Sequence, residues 1–83
     1  LHPNYPNPFN PVTHIQFTIP EPTDVKLQIF DLLGKQVDVL VNEMLPIGHH
    51  QVIWNPRNLS SGFYFYKLEA GSFIQTRKMI LLK

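Results

Sequence analysis

Apolar residues recur at every second position in this chain, in short runs that prolines and glycines interrupt. That pattern admits strands and little else. From Val12 onward, Ile15, Phe17 and Ile19 alternate with His14, Gln16 and Thr18. Pro20-Glu21-Pro22-Thr23-Asp24 breaks the run, and Val25, Leu27 and Ile29 resume it around Lys26 and Gln28. Asp31-Leu32-Leu33-Gly34-Lys35 reads as a tight connection, with a glycine free to adopt positive φ. Gln51 to Trp54 is a further short strand with Val52 and Trp54 on one face. Asn55 to Gly62 is a turn-rich loop. Phe63 to Leu68 is aromatic on both faces, as in a central or covered strand. Ala70-Gly71-Ser72 is a hairpin turn, and Phe73 to Leu82 is a long final strand.

One stretch carries two patterns. Val37, Leu40, Val41, Met44 and Leu45 have the spacing of a helical stripe. Val37, Val39 and Val41 also alternate, and β-branched residues favour strands. The reading adopted is a strand over 36–41 and a loop over 42–48. No segment is convincingly helical, so six or seven short strands imply a two-sheet antiparallel sandwich.

The first eleven residues differ from the rest. Four prolines in Leu1–Pro11 keep the segment extended or turn-like. Its large apolar groups, Tyr5 and Phe9, are expected to dock it onto the body. The predicted organisation is one domain over 1–83, an extended Asn/Pro-rich opening over 1–11 and a sandwich over 12–83.

Size and composition narrow the function. Eighty-three residues fold to roughly 5,100 Å² of accessible surface, enough for one small core. Without cysteine there is no disulfide framework and no thiolate metal site. A net charge of +1 argues against an electrostatic nucleic-acid binder. No apolar run approaches the ~20 residues of a membrane-spanning helix. The chain starts at Leu1 without a basic-then-apolar leader, which suggests a piece of a longer protein.

Chemistry is sparse. His49 and His50 are adjacent and point to opposite faces on a strand, so His2, His14, His49 and His50 read as surface histidines. Glu21, Asp24, Asp31, Asp38, Glu43 and Glu69 mostly flank turns. Ser60 and Ser61 lack a Gly-x-Ser-x-Gly frame, and no Gly-rich phosphate loop occurs. Neither an enzyme nor a cofactor is expected. Trp54, Tyr64 and Tyr66 read as core, the alternative being a stacking platform for sugars. Met79-Ile80-Leu81-Leu82-Lys83 is apolar where termini usually fray. Such a strand is either tied into the sheet or presented to a partner by strand addition, and it is a place for self-association.

These residues carry a resemblance. Asn4-Tyr5-Pro6-Asn7-Pro8-Phe9-Asn10-Pro11 is similar to the opening signature of the type IX (Por) secretion system C-terminal sorting domains, of type A. Thr13-x-Ile15-x-Phe17 and Val25-x-Leu27-x-Ile29-Phe30-Asp31-x-x-Gly34-x-x-Val37 match the first strand and second hairpin. Gly48-x-His50-x-Val52-x-Trp54 and Asn58-Leu59-x-Ser61-Gly62-x-Tyr64 match the middle, and Lys78-Met79-x-Leu81-x-Lys83 the end. The departures are small: Asn55-Pro56-Arg57 stands where an Asp-Gly turn is common, and Phe30 where a Tyr is.

The resemblance implies an immunoglobulin-like sandwich of about seven strands. It also implies an address rather than a catalyst, fused behind a larger, Sec-exported parent of the Bacteroidetes. The outer-membrane type IX translocon would recognise the folded domain, and a sortase-type surface protease would remove it. The parent would travel through the periplasm and outer membrane to the cell surface. Recognition residues carried over from the family's motifs are Gly62, Tyr64, Lys78, Met79, Leu81 and Lys83. The other readings are an immunoglobulin-like structural or spacer module and a carbohydrate-binding module of a secreted enzyme.

Overall fold

The computed structural model describes residues 1–83. Its strands are β1 (Thr13–Ile19), β2 (Thr23–Asp31), β3 (Gln36–Leu45), β4 (Gly48–Trp54), β5 (Gly62–Ala70) and β6 (Phe73–Leu81). β1 and β4 pair as a two-stranded antiparallel sheet, and β3-β2-β5-β6 form a four-stranded antiparallel sheet. The fold is therefore all-β, with no helix, and consistent with an immunoglobulin-like sandwich. β5 is a central strand, as its two-sided aromatic sequence predicted.

Alternation decides what lies between the sheets. Ile15, Phe17 and Ile19 from β1 meet Val25, Leu27 and Ile29 from β2, and all six are buried. Tyr64, Tyr66 and Leu68 from β5, Met79 and Leu81 from β6, and Trp54 from β4 complete the core. The folded surface is 5177 Å², close to the value expected from chain length.

Six strands form rather than seven, and the opening segment serves in place of another. Tyr5 makes an antiparallel bridge to His14 on β1, and Phe9 a parallel bridge to Leu81 on β6. Four prolines remove backbone donors, so single bridges form where a continuous ladder cannot. The segment thus closes one side of the sandwich, from the β1 edge to the β6 edge. Phe9 is buried as expected. Tyr5 is not: it is 78 % exposed, and only its backbone docks, through N–H and C=O bonds to His14. In an antiparallel pair the bond between backbones does not require the side chain to turn inward.

The reading of 36–48 needs correction. β3 runs on to Leu45 and β4 starts at Gly48, so the predicted loop over 42–48 is only the short turn at Pro46 and Ile47. The helix-like spacing has a strand explanation. Against β2, the register skips Leu40 and then Val37, two bulges in one strand. Each bulge shifts the alternation by one residue. Val37, Leu40, Val41 and Leu45 consequently all lean on the core, at spacings a helix would also produce.

Buried hydroxyls and an amide join the opening segment to the sandwich. Tyr66 is fully buried, and its hydroxyl donates to the His2 carbonyl (3.0 Å) and accepts from the Asn4 N–H (2.9 Å). The Asn4 side-chain amide donates to Thr13 Oγ1 (3.0 Å), and Thr13 Oγ1 donates to the Pro6 carbonyl (2.9 Å). Burial pushes the Tyr66 phenol above its ordinary value of 10.0, against the smaller opposing pulls of the Asn4 N–H and the Arg77 charge. A raised folded-state pKa means the fold prefers the neutral phenol. That contribution is complete below pH ~10 and is lost as pH rises through the folded value. Tyr66→Phe is expected to lower the unfolding free energy by about 1–3 kcal/mol at neutral pH, because it orphans the Asn4 donor. Urea unfolding at neutral and strongly alkaline pH checks this. The gap between variant and parent should narrow in alkali, and a constant gap would mean the phenol is not the titrating group.

Candidate functional site

The six residues singled out from the sequence collect at one end of the β5–β6 hairpin. Gly62 pairs with Leu81 and Tyr64 with Met79, while Lys78 stands opposite Phe65. Lys83 folds back on the preceding loop: its N–H donates to Ser61 Oγ (2.9 Å), and its Nζ donates to the Arg57 carbonyl (3.1 Å). Gly62 and Leu81 are nineteen residues apart in sequence and Tyr64 and Met79 fifteen, and the antiparallel register makes them neighbours.

Their exposure divides them. Tyr64, Met79 and Leu81 are buried; Lys78 and Lys83 are exposed. Tyr64 packs its ring edge-on to Trp54, with centroids 6.1 Å apart, and donates its hydroxyl to the Ser60 carbonyl (2.7 Å). That bond fixes the loop leading into β5. Gly62 sits at φ +152°, a conformation L side chains rarely adopt, with open space where a Cβ would point. A substitution there is strained by the backbone rather than by crowding. Lys78 holds its ammonium 5.2 Å from the centroid of the Phe63 ring on the outer face.

The terminal strand is tied in at both edges. β5 pairs along one edge. On the other, the Phe9 N–H donates to the Ile80 carbonyl, the Leu82 N–H donates to the Phe9 carbonyl, and the Ile80 N–H donates to Asn7 Oδ1. Of the two fates read for this strand, incorporation into the sheet is the one the fold displays. The second edge partner lies some seventy residues away, and periodicity within the strand itself could not reveal it.

The platform reading for Trp54, Tyr64 and Tyr66 is overturned. All three side chains are buried between the sheets, so no sugar ring can stack on them. Trp54 also donates its Nε1–H to Asp38 Oδ2 (3.0 Å), which links β4 to β3. Asp38 had only a turn-flanking role in the sequence reading. Nothing in the sequence pairs it with a tryptophan sixteen residues later. The histidines serve local contacts. His50 stacks on Phe17 and donates to the Pro46 carbonyl, His49 bonds Thr18, and His14 accepts from Gln51. No group of three or more His, Asp or Glu side chains converges in a geometry that would hold a metal ion.

No curated protein and no solved structure matches the chain. The family described as "Secretion system C-terminal sorting domain" matches residues 4–82, from the buried Asn4 to the end of the terminal strand. That is a family of sorting signals for type IX secretion and not of enzymes, and membership implies a larger secreted parent and export to the cell surface or beyond. The opening motif, the doubly tied terminal strand and a match over almost the whole length together place this chain in the C-terminal sorting domain family of the type IX secretion system.

Proposed function

We propose that the domain, of type A, directs a Sec-exported parent through the outer-membrane type IX translocon, where a sortase-type protease removes it and anchors the parent at the surface. The observation that carries this reading is the family match over residues 4–82. Residues 1–83 act as one unit, because Phe9 is part of the core rather than of a linker. Within the recognition set the roles differ. Lys78 and Lys83 are exposed and meet the partner. Gly62, Tyr64, Met79 and Leu81 shape and hold the hairpin that presents them.

The test fuses residues 1–83 to the C-terminus of a Sec-exported fluorescent reporter, in the native type of host with and without a working translocon. Surface or medium signal should appear in the first and vanish in the second. Retention in the periplasm of both would sink the address reading and favour the spacer module. Deleting Met79–Lys83 should strand the reporter, but it also removes core residues. Lys78→Glu with Lys83→Glu leaves the core intact, and it should reduce export while the folded domain persists.

A further inference from the structure

The opening segment closes its side of the sandwich only part of the way. It runs antiparallel to β1 and parallel to β6: the His2 N–H donates to the Gln16 carbonyl, Tyr5 bridges His14, and Phe9 bridges Leu81. At its start the Leu1 carbonyl accepts from Arg77 Nε (3.1 Å), and the Leu1 side chain packs against the core. Both neighbouring strands extend past that point. β1 continues through Thr18 and Ile19. β6 has Phe73 and Gln75 ahead of Arg77, on the face that Arg77 shares with Met79 and Leu81.

Backbone and apolar groups are both left open there. β1 meets β4 in unbroken antiparallel register, so alternate residues of β1 bond to β4 and the others turn away. His14 and Gln16 turn away and bond to the opening segment. Thr18 has the same parity, so its N–H and C=O face the same edge, one step past the last of those bonds. Phe73 has the parity of the buried Met79 and Leu81, yet it is 50 % exposed. It lines a cleft of about 360 Å³ together with Leu1, Thr18, Pro20, Leu68 and Ala70, a size that accommodates bound groups. Burial holds a free Leu1 ammonium below its ordinary value of 8.0, and the Arg77 charge adds to this. A peptide bond to a preceding residue carries no charge, so it suits the position better.

We propose that the parent's residues just upstream of Leu1 continue the opening segment as an edge strand on β1 and fill this cleft. The proposal rests on membership of a C-terminal sorting family, which puts a larger parent ahead of the domain, and not on the translocon route. The residue directly before Leu1 stands two from His2, so its N–H falls opposite the Thr18 carbonyl, as that of His2 does opposite Gln16. The residue before that shares the inward parity of Leu1, and its side chain enters the cleft against Phe73 and Leu68. An apolar residue is expected at that position, and a charged one would overturn the proposal. The junction with the parent is then a docked strand rather than a free tether. A protease that removes the domain finds its accessible bonds ahead of the docked residues.

Native-state hydrogen exchange tests it on residues 1–83 and on the same chain carrying the ten residues that precede Leu1 in its parent. The Thr18 N–H should exchange ~10-fold or more slowly in the longer chain, as an edge amide that gains a partner does. Phe73→Ala should abolish that slowing. Ile74→Ala, an exposed neighbour on the opposite face, should leave it in place. Equal Thr18 exchange in the two chains, slowing that survives Phe73→Ala, or slowing lost equally with Ile74→Ala would overturn the docking. None of these readouts needs a translocon. Failed export of a reporter fusion whose Thr18 is protected would sink the address reading and leave the docking standing. Successful export with Thr18 unprotected would do the reverse.

Discussion

Trp54→Ala is expected to remove about 3–5 kcal/mol of unfolding free energy, as large aromatic truncations in cores do. A domain of this size has about 4–12 kcal/mol in total, so the variant is expected to sit at the edge of unfolding at room temperature. The size of the effect follows from what the indole touches. It is buried against Phe9 of the opening segment, at 5.7 Å between ring centroids, and against Tyr64 of β5. Its N–H reaches Asp38 of β3. One side chain therefore joins both sheets and the opening segment, and its loss leaves a cavity that three separate elements would have to fill. Trp54→Phe should cost less, because the ring volume is partly kept and the Asp38 carboxylate can turn to water. Chemical denaturation followed by far-UV circular dichroism decides the matter. A midpoint for Trp54→Ala equal to that of the parent would show that Trp54 does not hold the sheets together.

Phe9→Ala is expected to cost a similar ~3–5 kcal/mol, and its second consequence is local. The Phe9 ring, packed beside Trp54, holds its backbone where it bonds to Ile80 and Leu82. Without the ring, four prolines leave the segment few other backbone bonds to hold it in place. The Leu82 and Ile80 amides, which donate to Phe9 and Asn7, should then exchange with solvent much faster than amides at the β2–β5 junction. Native-state hydrogen exchange reads this directly. Unchanged protection at Leu82 and Ile80 would mean that the opening segment does not secure the terminal strand. The two ends of the family match would then be structurally independent.

How much of the candidate site was legible in the sequence depended on the range of the contacts involved. Gly62, Tyr64, Lys78, Met79, Leu81 and Lys83 could be singled out because they sit in short motifs of fixed spacing. Their division into buried and exposed was legible only in part. Alternation marks Met79 and Leu81 as one face, but which face is covered depends on the other sheet. The outward cation at Lys78 follows from the same parity; Lys83 shares the parity of Met79 and Leu81 but lies beyond the end of β6, so alternation does not account for its exposure. Phe9 could be named as a peg because a large apolar side chain in a proline-rich segment has few other uses. Tyr5 was misjudged by the same reasoning, since its backbone does the docking and its ring stays in water.

Outside 36–48, the strands and turns were legible in the sequence, as were the faces of β1 and β2. Period-two alternation and chain-breaking residues are local properties, and each strand carries its own copy of them. The sequence also determined the family, through motifs read in order along the chain. Only the tertiary structure decided where β3 ends and why its apolar spacing imitates a helix, because a bulge is defined against a partner strand. The same holds for the Trp54–Asp38 bond, for the Tyr66 hydroxyl that holds Asn4, and for the Phe9 bridge to Leu81. Each of these joins residues from separate elements of the chain, and their distances are set by how the elements stack, not by what either residue prefers alone.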